Sequence, residues 1–481
     1  GTLATGNLSF QAGGRFGVKV AGAAAGQFDA LAVTGTVNLT NAGVFVFPLG
    51  PTPAVGSVLT VIANDGADPV VGTFTGLPEG GRFKDLAGST YRVSYVGGDG
   101  NDVTLTAVGG AALVGPLLVT GPTTGTGTLY NPAGGQYQGG TQVALVPGFN
   151  GETHVALGDV NGDRVPDVVV GTGPGGSRVR VLDGASGYAT VLADFIAFPG
   201  YAGGVFVAVG DLNGDGSADV AVTGDAVDAF SGPQSNTLQV RVFSGISMVG
   251  GTGSPAVLAD FDGLASLNGA SGQGNTAVRL GGRPAIADLN GDGNPDLLIA
   301  AGSGGGPRVT VWNGTGFAGA NGGKPTTNPI ANLFVFESTQ RGGAFVTAGD
   351  ITGDGLAEIV VGGGPGGGPR VRIVNAATLL GLANLESVNL DDPTNLANGL
   401  VLNNFFAGSG DSRGGIRVTV RDVDGDGLAD VVVGTGTNER SGVRVYTAPS
   451  LAAVAKTSTE PAGPQTIDPF NGIIAGGVWV G

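Results

Sequence analysis

The feature that most constrains the fold is a nine-residue aspartate-rich segment that returns five times between apolar runs. The copies read Asp159-Val-Asn161-Gly-Asp163-Arg-Val-Pro-Asp167, Asp211-Leu-Asn213-Gly-Asp215-Gly-Ser-Ala-Asp219, Asp288-Leu-Asn290-Gly-Asp292-Gly-Asn-Pro-Asp296, Asp350-Ile-Thr352-Gly-Asp354-Gly-Leu-Ala-Glu358 and Asp422-Val-Asp424-Gly-Asp426-Gly-Leu-Ala-Asp430. Their first aspartates stand 52 to 77 residues apart, so the chain is an array of similar units. A strand precedes the segment (Val205–Val209, Phe345–Ala348, Ile416–Val420) and another follows at once (Val168–Val170, Leu297–Ala300, Ile359–Val361, Val431–Val433). After a Gly-rich turn comes a third, such as Arg178–Leu182, Arg308–Trp312, Arg370–Val374 or Val443–Tyr446. An aromatic-bearing run completes the unit, as in Val191–Phe198, Asn332–Phe336 and Val401–Phe406. Four short strands per unit, repeated around an axis, predict the blades of a β-propeller.

The ends of the array predict how it closes. Gly476-Gly-Val-Trp-Val480 reads like the strand before a loop with no loop after it, while Leu117–Thr120 and Thr126–Tyr130 read like strands that should follow one. Joining them makes a further blade from both termini and removes open edges. The five full units then give six blades, an all-β fold closed by its N- and C-terminal strands. Helical periodicity is confined to short stretches, Ala376–Leu385 and Ser450–Ala455.

The repeated segment also carries a chemistry. Oxygen donors at positions 1, 3, 5 and 9, a Gly usual at 6 and a backbone carbonyl at 7 suit a hard cation that takes six to eight oxygens, and calcium fits best. The predicted ligands are Asp159, Asn161, Asp163 and Asp167; Asp211, Asn213, Asp215 and Asp219; Asp288, Asn290, Asp292 and Asp296; Asp350, Thr352, Asp354 and Glu358; Asp422, Asp424, Asp426 and Asp430, for up to five Ca²⁺ ions. The loops hold sixteen carboxylates, equal to the whole net charge of −16. Crowded carboxylates repel and resist ionisation unless a cation sits among them. The plain alternative is a set of Asx turns without metal, because such turns favour the same residues. Arg164 in the first loop, and Thr352 with Glu358 in the fourth, predict the two weakest sites.

Composition narrows function. The chain has no Cys and one His, His154, which excludes disulfides, thiol nucleophiles and zinc sites built from several N or S ligands. With acids outnumbering bases 38 to 22, the chain lacks the basic surface that nucleic acid or anionic lipid requires. No apolar run reaches the ~20 residues of a spanning helix. The chain opens at Gly1, and Gly1–Phe10 shows no signal-peptide pattern, so an excised piece of a longer protein is expected.

Asp-x-Asn-x-Asp-Gly-x-x-Asp between strands, followed by turns such as Gly171-Thr-Gly-Pro-Gly-Gly176 and Gly362-Gly-Gly-Pro-Gly-Gly-Gly368, resembles the FG-GAP and VCBS-type repeats of integrin-α-like β-propellers and their bacterial relatives. The resemblance covers residues 113–481 and implies calcium on the loop joining the first two strands of a blade, with binding and adhesion common in the group. Integrin-type propellers have seven blades, so seven is the alternative count. Residues 1–108 have a different texture and are expected to form a β-rich domain, a β-helix end or a sandwich-like fold, with a linker at 109–112. Leu31–Leu39, Asn64-Asp65-Gly66, Gly72–Gly80 and Tyr91–Leu105 resemble the terminal segment of autotransporter-type β-helical bacterial surface proteins.

These readings lead to a non-catalytic, calcium-stabilised protein outside the cell or on a bacterial surface, binding a protein or glycan ligand. The inserts Gly250–Gly274 and Leu379–Asn398 are candidate recognition surfaces. Two rivals are a glycan-active lyase or hydrolase, whose best acid pairs are Asp391-Asp392 and Asp225/Asp228, and a lectin-like propeller. Weaker signals have bland readings: His154 as a solvated strand end, Gly97-Gly-Asp-Gly-Asn-Asp102 as a hairpin turn rather than a β-roll calcium site, Arg178, Arg308 and Arg370 as turn partners rather than a basic ring, and Trp312 as blade core.

Overall fold

A computed structural model describes the chain outside residues 11–13, 41, 50–52, 54–56, 65–67, 76, 78, 80–81, 85–89, 108–115, 122–124, 164, 226–237, 250–253, 264–280, 293, 318–321, 383–384, 386–387, 393–394, 396–397, 427, 455–458 and 471–475. One compact unit holds Gly1–Leu113, and a second holds the bulk of the rest. The expected linker at 109–112 lies outside the described residues.

The second unit is a six-bladed β-propeller, each blade a sheet of at least four strands. Its first complete blade runs Thr153–Gly158, Asp167–Thr172, Arg178–Leu182, Val191–Ile196, in antiparallel order from the inside outward. The next runs Val205–Gly210, Asp219–Gly224, Gln239–Phe243, Val257–Asp262. Three more begin at Gly282–Ala287, Ala344–Gly349 and Ile416–Arg421. The second strands have no solvent face, because each is flanked by the first and third strands of its sheet and packs on the inner strand of the next blade. Four of them, DVVVGT, DVAVTG, DLLIAA and EIVVGG, are buried at every position. That explains their unbroken apolar reading in place of alternation.

Close packing between blades needs small residues at one register. A Cβ on Gly171 would lie 2.5 Å from the Val205 carbonyl oxygen, and one on Gly362 or Gly434 would meet Ile416 O at 2.4 Å or Val478 O at 2.6 Å. The same close approach is bridged elsewhere by Thr223, whose hydroxyl donates to Gly282 O at 2.7 Å. Third strands contribute a second tie: Arg180, Arg241 and Arg372 each donate to a carbonyl of the preceding blade, at Leu145, Ala197 and Val335.

The sixth blade is composite, as the termini predict. Trp479–Val480 pairs antiparallel with Leu117–Thr120, Val119 opposite Val480 and Thr120 opposite Trp479. Gly481 and Leu118 exchange both backbone bonds at 3.0 and 3.1 Å. Helices are short, Ala376–Leu380 and Ala448–Ala453. Among the described residues no helix is long and apolar enough to cross a membrane.

Two expected recognition inserts turn out to be partly scaffold. Within Gly250–Gly274, Val257–Asp262 is the outer strand of a blade, while 250–253 and 264–274 lie outside the described residues. Within Leu379–Asn398, Val388–Asn389 adds a fifth strand parallel to Pro329–Phe334 of the neighbouring blade, and Leu390 is fully buried. An apolar Val-Asn-Leu run inside a polar insert is the signal for this edge cover.

In the first unit the chain returns alongside itself. Thr2 lies opposite Ala30, Leu8 opposite Val37 and Arg15 opposite Gly43, all in parallel pairs. Val58–Asn64 adds to Ala30–Val33 in parallel, then Asp102–Ala107, Thr90–Gly97 and Arg82–Lys84 continue antiparallel. Gly97–Asp102 is the hairpin turn expected. The core stacks Phe16 on Phe74 at 6.2 Å, and Phe74 packs on Tyr95 at 5.9 Å. The Tyr95 hydroxyl donates to Leu77 O at 2.8 Å and accepts from Phe74 N at 2.9 Å.

Two measurements check this account. Deleting Val478–Gly481 removes a buried valine and a ring-closing strand, so a calorimetric melt is expected to show the propeller destabilised by roughly 3–5 kcal/mol. Burial raises the Tyr95 phenol from 10.0 to about 12. The neutral phenol therefore stabilises the first unit below pH 10, and that contribution is lost as pH rises through 12. A Tyr95→Phe variant, titrated by near-UV circular dichroism, is expected to lose this alkaline step.

Candidate functional site

The five aspartate loops share one construction, and position 9 is its keystone. Asp167, Asp219, Asp296, Glu358 and Asp430 are all fully buried. One oxygen of each accepts the backbone N–H of position 2: Val160, Leu212, Leu289, Ile351 and Val423, at 2.8–3.0 Å. In four loops the other oxygen accepts the N–H that follows the third strand, from Gly184, Gly245, Gly314 or Ala448. Glu358 reaches the same position-2 donor with one more methylene. The segment closes like an Asx turn whose anchor is driven into the blade.

Positions 1 and 5 hold the tip. Asp159 and Asp211 each accept from Gly and Asp N–H groups three and four residues on, Gly162 and Asp163, Gly214 and Asp215. Gly162, Gly214, Gly291, Gly353 and Gly425 all have φ between 76° and 79°, which the position-4 Gly supplies without strain. At position 3, Asn161 and Asn213 donate their amides to Asp163 and Asp215 at 3.0 Å. The last loop has Asp424 there, so that donor is replaced by a third carboxylate. Asp422, Asp424 and Asp426 each bring an oxygen within 4.8 Å of the other two.

Burial pushes Asp167 up to about 6 and Asp219 and Asp296 up to about 7, with neighbouring loop carboxylates adding to the rise and backbone donors opposing it. An oxygen-only donor set of this kind fits calcium. Asp422, Asp424 and Asp426 would hold it in the last loop, with the position 1, 3 and 5 oxygens doing so elsewhere. Arg164, expected to weaken the first loop, lies outside the described residues.

The recurrent arginines form no open basic ring. Arg178 pairs with Asp194 at 2.6 Å, Arg308 with Asn332, and Arg370 with Glu337 at 2.6 Å and Asn404 at 2.7 Å. Trp312 is fully buried beside Phe261, as expected of blade core. Of the acid pairs, Asp391 is bound by Arg372 at 2.6 Å, and Asp228 lies outside the described residues.

Sequence reasoning missed the propeller axis. Five residues before the first aspartate of each loop stand His154, Phe206, Arg283, Phe345 and Arg417, and Trp479 takes that place on the closing strand. Phe206, Phe345 and Trp479 come from alternate blades and meet at centroid distances of 6.5, 5.6 and 5.2 Å. Between them His154 stacks on Phe206 at 3.8 Å, Arg283 lies 3.8 Å from the Phe345 centroid, and Arg417 lies 4.2 Å from that of Trp479. These residues line one end of an axial cavity of about 170 Å³. His154 is therefore no solvated strand end: it is 2% exposed, and burial beside two guanidiniums lowers it to about 3. The available signal was positional, a fixed offset from each loop, while the residue types differ from blade to blade.

Residues 159–222 and 288–361 match the FG-GAP-like repeat. The chain carries FG-GAP-like repeats. The two stretches contain four of the five loops; the last, 422–430, lies beyond them. No curated protein matches the chain in sequence. Among solved structures it is similar to the rhamnogalacturonan lyase YesW, at 15% identity and a TM-score of 0.32, covering 70% of this chain and 66% of that one. The Bacillus licheniformis rhamnogalacturonan lyase PL11 is similar at 13% identity and a TM-score of 0.30, again over 70% and 66%. Chaetomium thermophilum Raptor is similar at 12% and 0.35, over 73% of this chain and 26% of that one. The chain thus spans just under two thirds of either lyase. These similarities are too distant to bear on chemistry.

The loop construction separates two roles that spacing alone merges. Asp219→Asn puts an amide N–H₂ against a backbone N–H in a buried latch and is expected to cost about 1–3 kcal/mol with or without calcium. Asp215→Asn, at the exposed tip, is expected to leave calcium-free stability nearly unchanged and to reduce the calcium-dependent gain. Paired thermal melts of both variants with calcium and with chelator check the distinction.

Proposed function

We propose that the chain is a calcium-stabilised, non-catalytic binding module displayed outside the cell, with a protein or glycan as its ligand. The observation that carries this reading is the repeated loop: in five of six blades a buried carboxylate fixes the turn, and in the last loop the position 1, 3 and 5 carboxylates lie within 4.8 Å of one another. Gathered acids of this density are stable when a divalent cation shares their charge. An ion that binds only the folded loop stabilises the blade by linkage, about 2.7 kcal/mol per site at a hundredfold excess over Kd. Sites of the ~10⁻⁴–10⁻³ M class suit surroundings rich in calcium, which supports an extracellular setting. The FG-GAP-like repeats support the same reading, since adhesion and ligand binding are common among such propellers. The parallel coils of the first unit support its role as the end of a β-helical stalk like those of autotransporter-type surface proteins.

The last loop, with three mutually facing carboxylates, is expected to bind most tightly. Calorimetric titration of calcium into chelator-treated chain should give heat for up to five ions and a rise in melting temperature. Absence of both heat and stabilisation would overturn the calcium assignment.

A further inference from the structure

The chain has a single histidine, and its surroundings on the axis are unusual. His154 Nδ1 lies 2.8 Å from the carbonyl oxygen of Val205. A carbonyl only accepts, so the ring proton sits on Nδ1 and the lone pair on Nε2. Nε2 is buried with no hydrogen-bond partner. The carboxylate nearest to it offers Glu152 Oε1 at 4.0 Å, another acceptor. Asp225 completes the cluster: one oxygen from each carboxylate and one imidazole nitrogen all lie within 4.8 Å of one another. Three lone-pair groups thus converge from two strand ends, Glu152 and His154 at the start of Thr153–Gly158 and Asp225 just after Asp219–Gly224.

Two of the three are oriented by an outer partner. Val205 O sets the tautomer and plane of His154, and the Trp479 indole N–H donates to Glu152 Oε2 at 3.3 Å, which leaves Oε1 turned toward the imidazole. Backbone or side-chain support behind each ligand is how proteins aim groups at a metal.

We propose that Glu152, His154 and Asp225 form a site for one divalent transition ion of the zinc class. Imidazole with two carboxylates suits zinc and its first-row neighbours better than calcium or magnesium, which prefer oxygen alone. The site is chemically distinct from the five loops, whose donors are all oxygen. The two guanidiniums of Arg283 and Arg417 balance the two carboxylates, so the ion adds an uncompensated charge. That favours hydroxide or a ligand carboxylate in the remaining coordination position.

The test uses the full chain saturated with calcium, so that the loops are filled, and titrates Zn²⁺ alone. With one histidine, the ring ¹⁵N signals are unambiguous. The Nε2 resonance is expected to move and saturate at one equivalent while the Nδ1 proton is retained. Asp225→Asn and Glu152→Gln are each expected to weaken binding by about tenfold or more. His154→Gln is expected to abolish it; since it removes a buried stacked ring, its melt is checked, and the half-buried Asp225→Asn carries the test if it fails to fold. An Nε2 resonance unmoved by millimolar Zn²⁺, or variants that titrate like the natural chain, would overturn the site.

Discussion

The propeller depends on a carboxylate buried at the foot of each loop. Burying a charge in a blade is unfavourable unless its oxygens are occupied. Here they are occupied by backbone N–H groups from two places, the second residue of the loop and, in four blades, the second residue after the third strand. An acceptor-only side chain is required, because a hydroxyl or amide would bring a proton to meet a proton. In those four blades the latch therefore ties the first hairpin to the chain just beyond the third strand. The loop cannot be lengthened or shifted by one residue without withdrawing the anchor.

Latched blades still need to be held in a ring. The inner strands cover one another around the axis, and Gly171, Gly362 and Gly434 let adjacent backbones approach where a side chain would collide. The arginines of the third strands then reach across to carbonyls of the preceding blade, satisfying acceptors at the outer edge. Closure comes from the composite blade, where the last strand lies innermost and inserts Trp479 into the axial cluster. The same residue seals the ring and helps fill its centre.

How much of this could be read from sequence follows from what repeats. The loops repeat in residue type and spacing, so their position between strands, the six blades and the shared last blade were all legible. The latch was not distinguished from the tip, because Asp167 and Asp163 look alike until one is buried and the other is not. The axial residues repeat only in position: His154, Phe206, Arg283, Phe345, Arg417 and Trp479 share an offset and no chemistry. The parallel pairs of the first unit were hidden for another reason. A coil of roughly 28 residues turns too few times here to establish a period, and parallel partners lie far apart in sequence. Val388–Asn389 was read as part of a surface insert because two residues are too few to show alternation.

Loop and axis are mechanically one feature. In each complete blade a six-residue inner strand carries an axial side chain near one end and runs into the loop at the other, a separation of roughly 16 Å at ~3.3 Å per residue. On the proposed reading, a cation bound in the loop would hold the end of that strand. The other end would then have less freedom to rotate or slide, and His154, Arg283 and Arg417 would keep their stacking on the aromatic rings. Conversely, a blade whose loop is loose transmits that looseness inward along a strand hydrogen-bonded on only one side. On the proposed readings, oxygen-donor loops at one end of these strands and a mixed nitrogen and oxygen cluster near the other would differ in ion preference and still act together, the first setting the rigidity that the second requires.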